Sequence, residues 1–407
     1  MSTDTVGEVW TYSLDLCAAL NLFEVEVHLV TIGPLPTQEQ RRAAEAIANV
    51  TLHSIDGKLE WMTDPWPDVD RSGEFLASLA RDLNVDVVHS CCYSHGALDF
   101  GRPVIVVAHS CLLSRDEAMK RVSANTHRHH GTQLPGESGE ESEAGSKYRG
   151  RVTLGLHSAD AVVSPTKAFA DEIARIYNPG KIRVIHSGRN GSRFGGEMAR
   201  KKHPLIISSG SLHDEAKNLD LLARLAPELE WPTEIVGAQT ELVRRQTELA
   251  ASTLHPQTQR HIEPPPGVTL LGELTEGQRA AKLGTAGIFV SPTRYEPFGL
   301  SILEAAMSAC ALVVSDIPTL REIWADAAAF VHPDDAEGFR RAITALTSSP
   351  AKLKEMSGRA LARSRRYRPG AMAKAYLRTY EAALRCAHNH PDDDPEPEPQ
   401  NPLPVPA

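Results

Sequence analysis

Short runs of β-branched and aliphatic residues alternate with longer amphipathic stretches along most of this chain. Val25 to Thr31, Val85 to His89, Val104 to His109, Ala161 to Val163 and Ile182 to His186 each read as a buried strand, separated by segments of helical period. A second set of the same kind follows: Leu205 to Ser209, Thr233 to Gly237, Val268 to Leu271, Gly287 to Val290, Ala311 to Val314 and Ala329 to Val331. Strands that alternate with helices pack as a parallel sheet covered on both faces. The expected fold class is therefore α/β, with two doubly wound Rossmann-like domains facing each other across a cleft. The first domain is expected over residues 1–196 and the second over 197–370, with the boundary in the Gly-rich and then basic stretch from Gly195 to His203. Residues 371–388 read as a final helix. The polar segment 123–146 and the tail 389–407, where Pro alternates with acids, are expected to be disordered.

Length and composition agree with this division. At 407 residues the chain is long for one hydrophobic core. No apolar run approaches the roughly 20 residues that span a bilayer, and no signal-peptide pattern opens the chain, so the expected compartment is the cytoplasm. The net charge of −9 equals the nine acids of two polar segments, Glu137, Glu140, Glu141 and Glu143 in one and Asp392, Asp393, Asp394, Glu396 and Glu398 in the other. The remainder is nearly neutral and offers no basic face for nucleic acid. The six cysteines are scattered without metal-ligand spacing and read mostly as buried thiols. His127, His129 and His130 lack supporting carboxylates or thiols and read as solvated rather than as a metal site.

The most informative chemistry lies between Ser291 and Met307. The buried run Gly287-Ile288-Phe289-Val290 is broken by Pro297 and Gly299, after which Leu300, Leu303 and Met307 recur at helical spacing. Backbone N–H groups at such a helix start have no intrahelical partner and lie at the positive end of the dipole, so Phe298, Gly299 and Leu300 suit an anion such as phosphate. Glu296 and Glu304 add acceptor-only groups suited to pairs of sugar hydroxyls. Phosphate together with hydroxyls points to a nucleotide sugar. Lys217, in Ser208-Ser209-Gly210-Ser211-Leu212-His213-Asp214-Glu215-Ala216-Lys217-Asn218, is a mobile cation for a diphosphate. His109 ends a buried strand at the edge of the same cleft.

From Ser291 to Asp334, down to Ser315-Asp316-Ile317-Pro318-Thr319-Leu320-Arg321-Glu322, the chain resembles the donor-binding region of family 4 (group 1) glycosyltransferases, and the resemblance extends over nearly all of Thr3 to Arg385. It implies the GT-B architecture, with a C-terminal helix, Met372 to Cys386, that crosses back to the first domain. It also implies a retaining transfer of sugar from a nucleoside diphosphate without a bound metal. By this resemblance His109, Lys217 and Glu296 are the catalytic candidates. Glu296 contacts the hydroxyls of the transferred sugar, Phe298, Gly299 and Leu300 the diphosphate, and Glu304 the ribose. Gly7, in a loop leading into a helix, and Lys217 complete the donor-binding set.

Several positions depart from the family pattern. Ser211 stands where the family carries an arginine. Glu8 replaces the second of two adjacent glycines, which adds a negative charge near the donor and favours the dipole of its own helix. The chain opens with Met1-Ser2 where family members have an apolar strand, which is expected to leave the first sheet short of a central strand. Ser187-Gly188-Arg189 replaces the usual Asn-Gly, and no glycine follows the first helix near Asn21-Leu22-Phe23. These departures support a second reading, a member that binds a sugar nucleotide or a partner without turnover. A third, a hydrolase or epimerase on the same scaffold, fits less well, because Glu296 and Glu304 bracket different parts of one ligand rather than one bond. Trp10, Trp61 and Trp66 are candidates for an acceptor-side aromatic surface or for core. The basic stretch Arg359 to Arg368 reads as a solvated face or a contact with an anionic membrane surface. The donor's base and sugar, and the acceptor, are not written in these motifs.

Overall fold

The computed structural model describes residues 1–130, 143–194, 202–210, 214–237 and 266–388, with the side chains of 122–130 and 388 excepted. The first domain runs β1 (Ser2–Thr3), α1 (Glu8–Leu20), β2 (Val27–Ile32), α2 (Gln38–Glu45), β3 (Val50–Ile55), α3 (Trp66–Asp82), β4 (Val88–Ser90), β5 (Val104–Val107), α4 (Leu112–His130), α5 (Glu143–Ser158), β6 (Ala161–Ser164), α6 (Lys167–Tyr177) and β7 (Ile182–Val184). The second runs β8 (His203–Ser209), α7 (Leu219–Leu225), β9 (Thr233–Val236), β10 (Val268–Leu270), α8 (Glu276–Thr285), β11 (Ala286–Ser291), α9 (Leu300–Met307), β12 (Ala311–Ser315), α10 (Pro318–Trp324), β13 (Ala329–Val331), α11 (Ala336–Thr347) and α12 (Pro350–Ser364). A last helix, α13 (Pro369–His388), follows.

Among the described residues every strand pairing is parallel. The second domain forms one six-stranded sheet in the order β10-β9-β8-β11-β12-β13, a doubly wound order that reverses between β8 and β11. The first domain holds a three-stranded sheet, β1-β2-β3, and a four-stranded sheet, β4-β5-β6-β7. The two-residue β1 lies between them. It pairs with β2 in the register Ser2 to Val30 and Thr3 to Thr31, and Ser2 Oγ accepts from Cys91 N–H just past β4 at 3.1 Å. The place of the central strand is thus held by two residues, which join the sheets through a ladder on one side and a side chain on the other.

β3 goes unread in the hydrophobic pattern because Thr51, His53 and Ser54 interrupt it. As the outer strand of its sheet it is only half-buried, so no continuous apolar run is required there. The polar segment 123–146 also departs from expectation at its ends, since α4 continues to His130 and α5 begins at Glu143. Residues 131–142, the 195–201 part of the expected boundary and the tail from 389 lie outside the described residues. Where a glycine is missing after α1, Glu24 takes the left-handed conformation at φ 57° and closes the turn. Trp10 and Trp66 belong to the core, whereas Trp61 is 43% exposed.

One apolar cluster runs from α1 through α9 to α13, with Tyr12, Leu16, Ile302, Leu303, Trp324, Tyr367 and Tyr376 buried together. α13 lies against α1, and its Tyr380 hydroxyl meets Nδ1 of the buried His89 at 2.7 Å. The approach to α13 is tight at Gly188. A Cβ there would sit 2.5 Å from the carbonyl carbon of Arg368, a backbone atom that cannot swing aside. Gly188→Ala is expected to destabilise the protein by about 1–3 kcal/mol through overpacking, read as a lower midpoint in urea-induced unfolding.

Candidate functional site

In a doubly wound sheet the crevice opens beyond the carboxyl ends of the strands, where the strand order reverses. In the second domain the segments leaving β8 and β11 supply Lys217 and Glu296 there. Lys217 Nζ donates to Glu296 Oε2 at 2.8 Å, and Glu296 is buried. Burial pulls the Lys217 ammonium down, but Glu296 and then Glu8 outweigh it, and the lysine is held protonated well above its ordinary value. Burial pushes the Glu296 carboxyl up, against the opposing pull of Lys217 and an N–H from Phe298. The sequence suggests a mobile lysine; the structure pins it, because a buried carboxylate requires a partner.

The helix start lies beside this pair. Gly299 caps α9 at φ 86°, a conformation that favours glycine, and a Cβ there would also meet Ile302 at 2.8 Å. The ring of Phe298 is buried edge-on against Tyr367. At this helix start the amides of Leu300 and Ser301 already face an anion. Leu300 N–H donates to Glu8 Oε2 at 3.1 Å and Ser301 N–H to Glu8 Oε1 at 3.3 Å. Glu8 is the first residue of α1, directly after the N-cap Gly7, so the departure from the paired glycines puts a carboxylate from one domain onto the helix start of the other.

Glu304 is also engaged. Its Oε1 accepts from Arg189 Nε at 2.8 Å and its Oε2 from Arg279 Nε at 2.7 Å, and its side chain is 3% exposed. Arg189 is itself fully buried and reaches Asp15 Oδ2 at 2.6 Å and the Glu276 carboxylate. Arg193 and Arg279 balance the remaining acid charge from the rim. Burial raises the Asp15 carboxyl despite Arg189. Glu276 is likewise opposed by burial, yet Arg189 and Arg193 hold it below the ordinary range. The unusual Ser187-Gly188-Arg189 therefore places a cation at the centre of the interdomain contact. The residue is visible in the sequence, but its three carboxylates come from α1, α8 and α9 and no local spacing joins them.

On the facing side, the ends of β1, β4 and β5 line a cavity of about 200 Å³. Its walls include Asp4, Lys58, Glu60, Cys91, Cys92, His95, His109 and Arg115, with Trp61, Tyr93, Tyr148 and Tyr295 among the aromatic ones. His109 Nε2 lies 3.3 Å from Cys91 Sγ, and burial lowers the imidazole to about 4. The Cys91 thiol is pushed up by burial, so neither group of this pair is charged near neutrality. Glu60 is fixed by the N–H groups of Tyr93 and Ser94, and Lys58 donates to Thr63 O. Asp4 was missed in the sequence because a lone Asp before a helix reads as a turn residue. One of its oxygens accepts from Val6 N–H at 2.9 Å, and burial raises the carboxyl to about 7.

Tyr295 and Arg115 tie the cavity to the Lys217–Glu296 pair. The Tyr295 hydroxyl accepts from Cys111 N–H at 2.9 Å, and Arg115 pairs with Asp214 at 2.8 Å. Of the residues proposed from sequence, Gly7, His109, Lys217, Glu296, Phe298, Gly299, Leu300 and Glu304 all border this interdomain region. Ser211 and the side chains of His127, His129 and His130 lie outside the described residues. Among the described residues no group of three or more His, Cys, Asp or Glu could hold a metal, and no helix is long and apolar enough to cross a membrane.

Two family models tile the chain. Residues 9–193 match "Glycosyltransferase Family 4" and residues 203–349 match "Glycosyl transferases group 1", so each half of the chain is similar to a glycosyltransferase model. Among curated relatives, alpha-maltose-1-phosphate synthase of Mycobacterium tuberculosis is 28% identical over 233 residues, covering 48% of this chain and 55% of that protein. The enzyme of the same name from Mycolicibacterium smegmatis is 23% identical over 354 residues, covering 76% and 84%. The chain thus spans about half the length of the first of these relatives. Among solved structures, sucrose-phosphate synthase of Thermosynechococcus elongatus superposes with a TM-score of 0.67 at 16% identity over 95% of this chain and 96% of that one. Anabaena HepE in complex with UDP-glucose gives 0.64 at 13% identity over 94% and 98%. The fold is GT-B.

The buried guanidinium makes a direct prediction. Arg189→Met leaves Asp15 and Glu304 short of a partner and is expected to cost about 3–5 kcal/mol. Arg189→Lys should recover only part of this, since one ammonium cannot reproduce the fork that meets three carboxylates; chemical denaturation of the three proteins measures both.

Proposed function

We propose that this protein is a retaining glycosyltransferase that moves a sugar from a nucleoside-diphosphate sugar to an acceptor hydroxyl held in the cavity of the first domain. The observation that carries this reading is the buried Lys217–Glu296 pair beside the start of α9, at the point where the strand order reverses. Lys217 and the α9 amides supply positive potential for a leaving diphosphate, and Glu296 supplies acceptors for sugar hydroxyls. UDP-glucose in the Anabaena HepE structure and the sugar-transferring relatives support a nucleotide-sugar donor.

In the reaction the bond from the sugar's anomeric carbon to the diphosphate oxygen breaks, and the acceptor oxygen bonds to that carbon on the same face. The acceptor's proton passes to the departing phosphate oxygen, so no enzymic carboxylate is needed as a nucleophile. The chain's own work is positioning and charge stabilisation. Asp4 and His109 face the acceptor. The neutral imidazole offers one donor and one acceptor, and ionised Asp4 accepts from a neighbouring, non-reacting hydroxyl of the acceptor.

The reading of a binder without turnover draws on one specific observation, the carboxylate of Glu8 on the α9 amides. Incubation with UDP-, GDP- and ADP-sugars and a panel of small polyols and glycans, with products followed by mass spectrometry, separates the two readings. Transfer sinks the non-enzyme, and nucleotide binding with no product from any donor sinks the transferase. Lys217→Met should lower kcat/KM by roughly ten- to a hundredfold, the loss of one charge-assisted contact of about 1.5–3 kcal/mol.

The Asp4 carboxyl sets a pH dependence. Its proton is lost only above about 7, so the acceptor-facing carboxylate is present on the alkaline side and is lost as pH falls. The acceptor kcat/KM is expected to rise with pH through about 7, and Asp4→Asn should lower it and flatten that limb. A profile unchanged by Asp4→Asn would remove the residue from the acceptor site.

A further inference from the structure

Resting on the nucleotide-sugar reading, we propose that Glu8 is a specificity-determining residue that occupies the phosphate position of the donor site with the chain's own carboxylate, so that donor binding is an exchange of one anion for another. The two oxygens of Glu8 sit on successive N–H groups, Leu300 at 3.1 Å and Ser301 at 3.3 Å, at the positive end of α9. Lys217 feels the same carboxylate. Two helix-start amides and a nearby ammonium form the environment a phosphoryl group seeks, and here it is filled from the opposite domain.

Three further contacts show that the occupancy is built into the interface. Glu8 and Asp15 are seven residues apart on α1 and so share one face of that helix. Asp15 is locked by Arg189, which also holds Glu304, so the same helix is pinned to the second domain two turns further on. At another point of the interface the arrangement is reversed: Glu322 from α10 accepts from Lys167 N–H at 2.8 Å and Ala168 N–H at 2.9 Å, at the start of α6 in the first domain. Each domain thus caps a helix of the other. A ligand with only a sugar displaces none of these groups, whereas a diphosphate competes for the α9 amides by charge.

The consequence is a donor affinity set below what the same site would reach without Glu8. Glu8→Gly frees both amides and removes a like charge. Glu8→Gln keeps the size, can return one carbonyl to one amide, and carries no charge. Wild type, Glu8→Gln and Glu8→Gly would be titrated with UDP, GDP and ADP by calorimetry, with unfolding midpoints confirming that each variant is folded. Glu322→Gln serves as a control that loosens the interface away from the anion position. The nucleotide that binds is expected to gain about ten- to a hundredfold in affinity in Glu8→Gly, the worth of a charge-assisted contact, with Glu8→Gln between and Glu322→Gln unchanged.

In hydrogen exchange on the free proteins, the amides of Leu300 and Ser301 should both lose protection in Glu8→Gly, only one of them in Glu8→Gln, and neither in Glu322→Gln. Equal nucleotide affinity in wild type and Glu8→Gly overturns the exchange and leaves the donor reading intact. An equal gain in Glu322→Gln assigns the effect to domain closure and also overturns it. No binding by any of the proteins, with exchange at Leu300 and Ser301 altered as described, overturns the nucleotide donor itself.

Discussion

A charged group taken out of water must meet opposite charge inside the protein, and the interdomain contact of this chain is organised around one such group. Arg189 is almost completely buried, so its guanidinium must find carboxylates, and it finds Asp15 on α1, Glu276 on α8 and Glu304 on α9. Those helices belong to two domains. Satisfying one cation therefore fixes the approach of α1 to α9, and with it the place where the amino end of α1 meets the start of α9. Such a network is a weak source of net stability, since desolvation consumes most of the attraction. Its effect is geometric: this docking of the domains gives each of these buried charges a partner.

The site then follows from topology. Parallel strands deliver their following loops to one edge of each sheet, and the reversal of strand order opens a crevice there. In the second domain that crevice receives Lys217 and Glu296, and in the first it receives Asp4, Glu8, Cys91 and His109. The two crevices face each other because of the interdomain ion network and because α13 returns to lie against α1. The positive helix start of α9 and the cavity of the first domain are brought together across an interface that neither domain completes alone.

The departures from the family pattern acquire physical meaning in this setting. Glu8 looks in the sequence like a charge that repels a donor, and in the structure it accepts from the helix-start amides of Leu300 and Ser301. Arg189 looks like drift at a turn, and in the structure it is the centre of the contact. Gly188 beside it is required by the closeness of Arg368, and Glu24 shows that a left-handed turn can be closed without glycine. The two-residue β1 keeps its place in the fold because its backbone is paired to β2 and its Ser2 hydroxyl to the Cys91 amide.

The sequence by itself determined the alternation of strands and helices, since buried parallel strands demand continuous apolar runs and these stand out from amphipathic helices. Only strands that escape this demand, the half-exposed β3 and the two-residue β1, went unread. It also determined the helix start after Gly299 and the chemical type of the groups around it, because cap geometry and side-chain chemistry are local. The tertiary structure alone decided what those groups touch. Glu304 pairs with Arg189 across 115 residues of chain, and Glu8 reaches Leu300 across 292. Lys217 is held by Glu296 rather than free, and Asp4 is a wall of a cavity, its carboxyl raised by burial, rather than a turn residue. These are consequences of burial and of long-range charge pairing, which depend on distances in space that no spacing along the chain encodes.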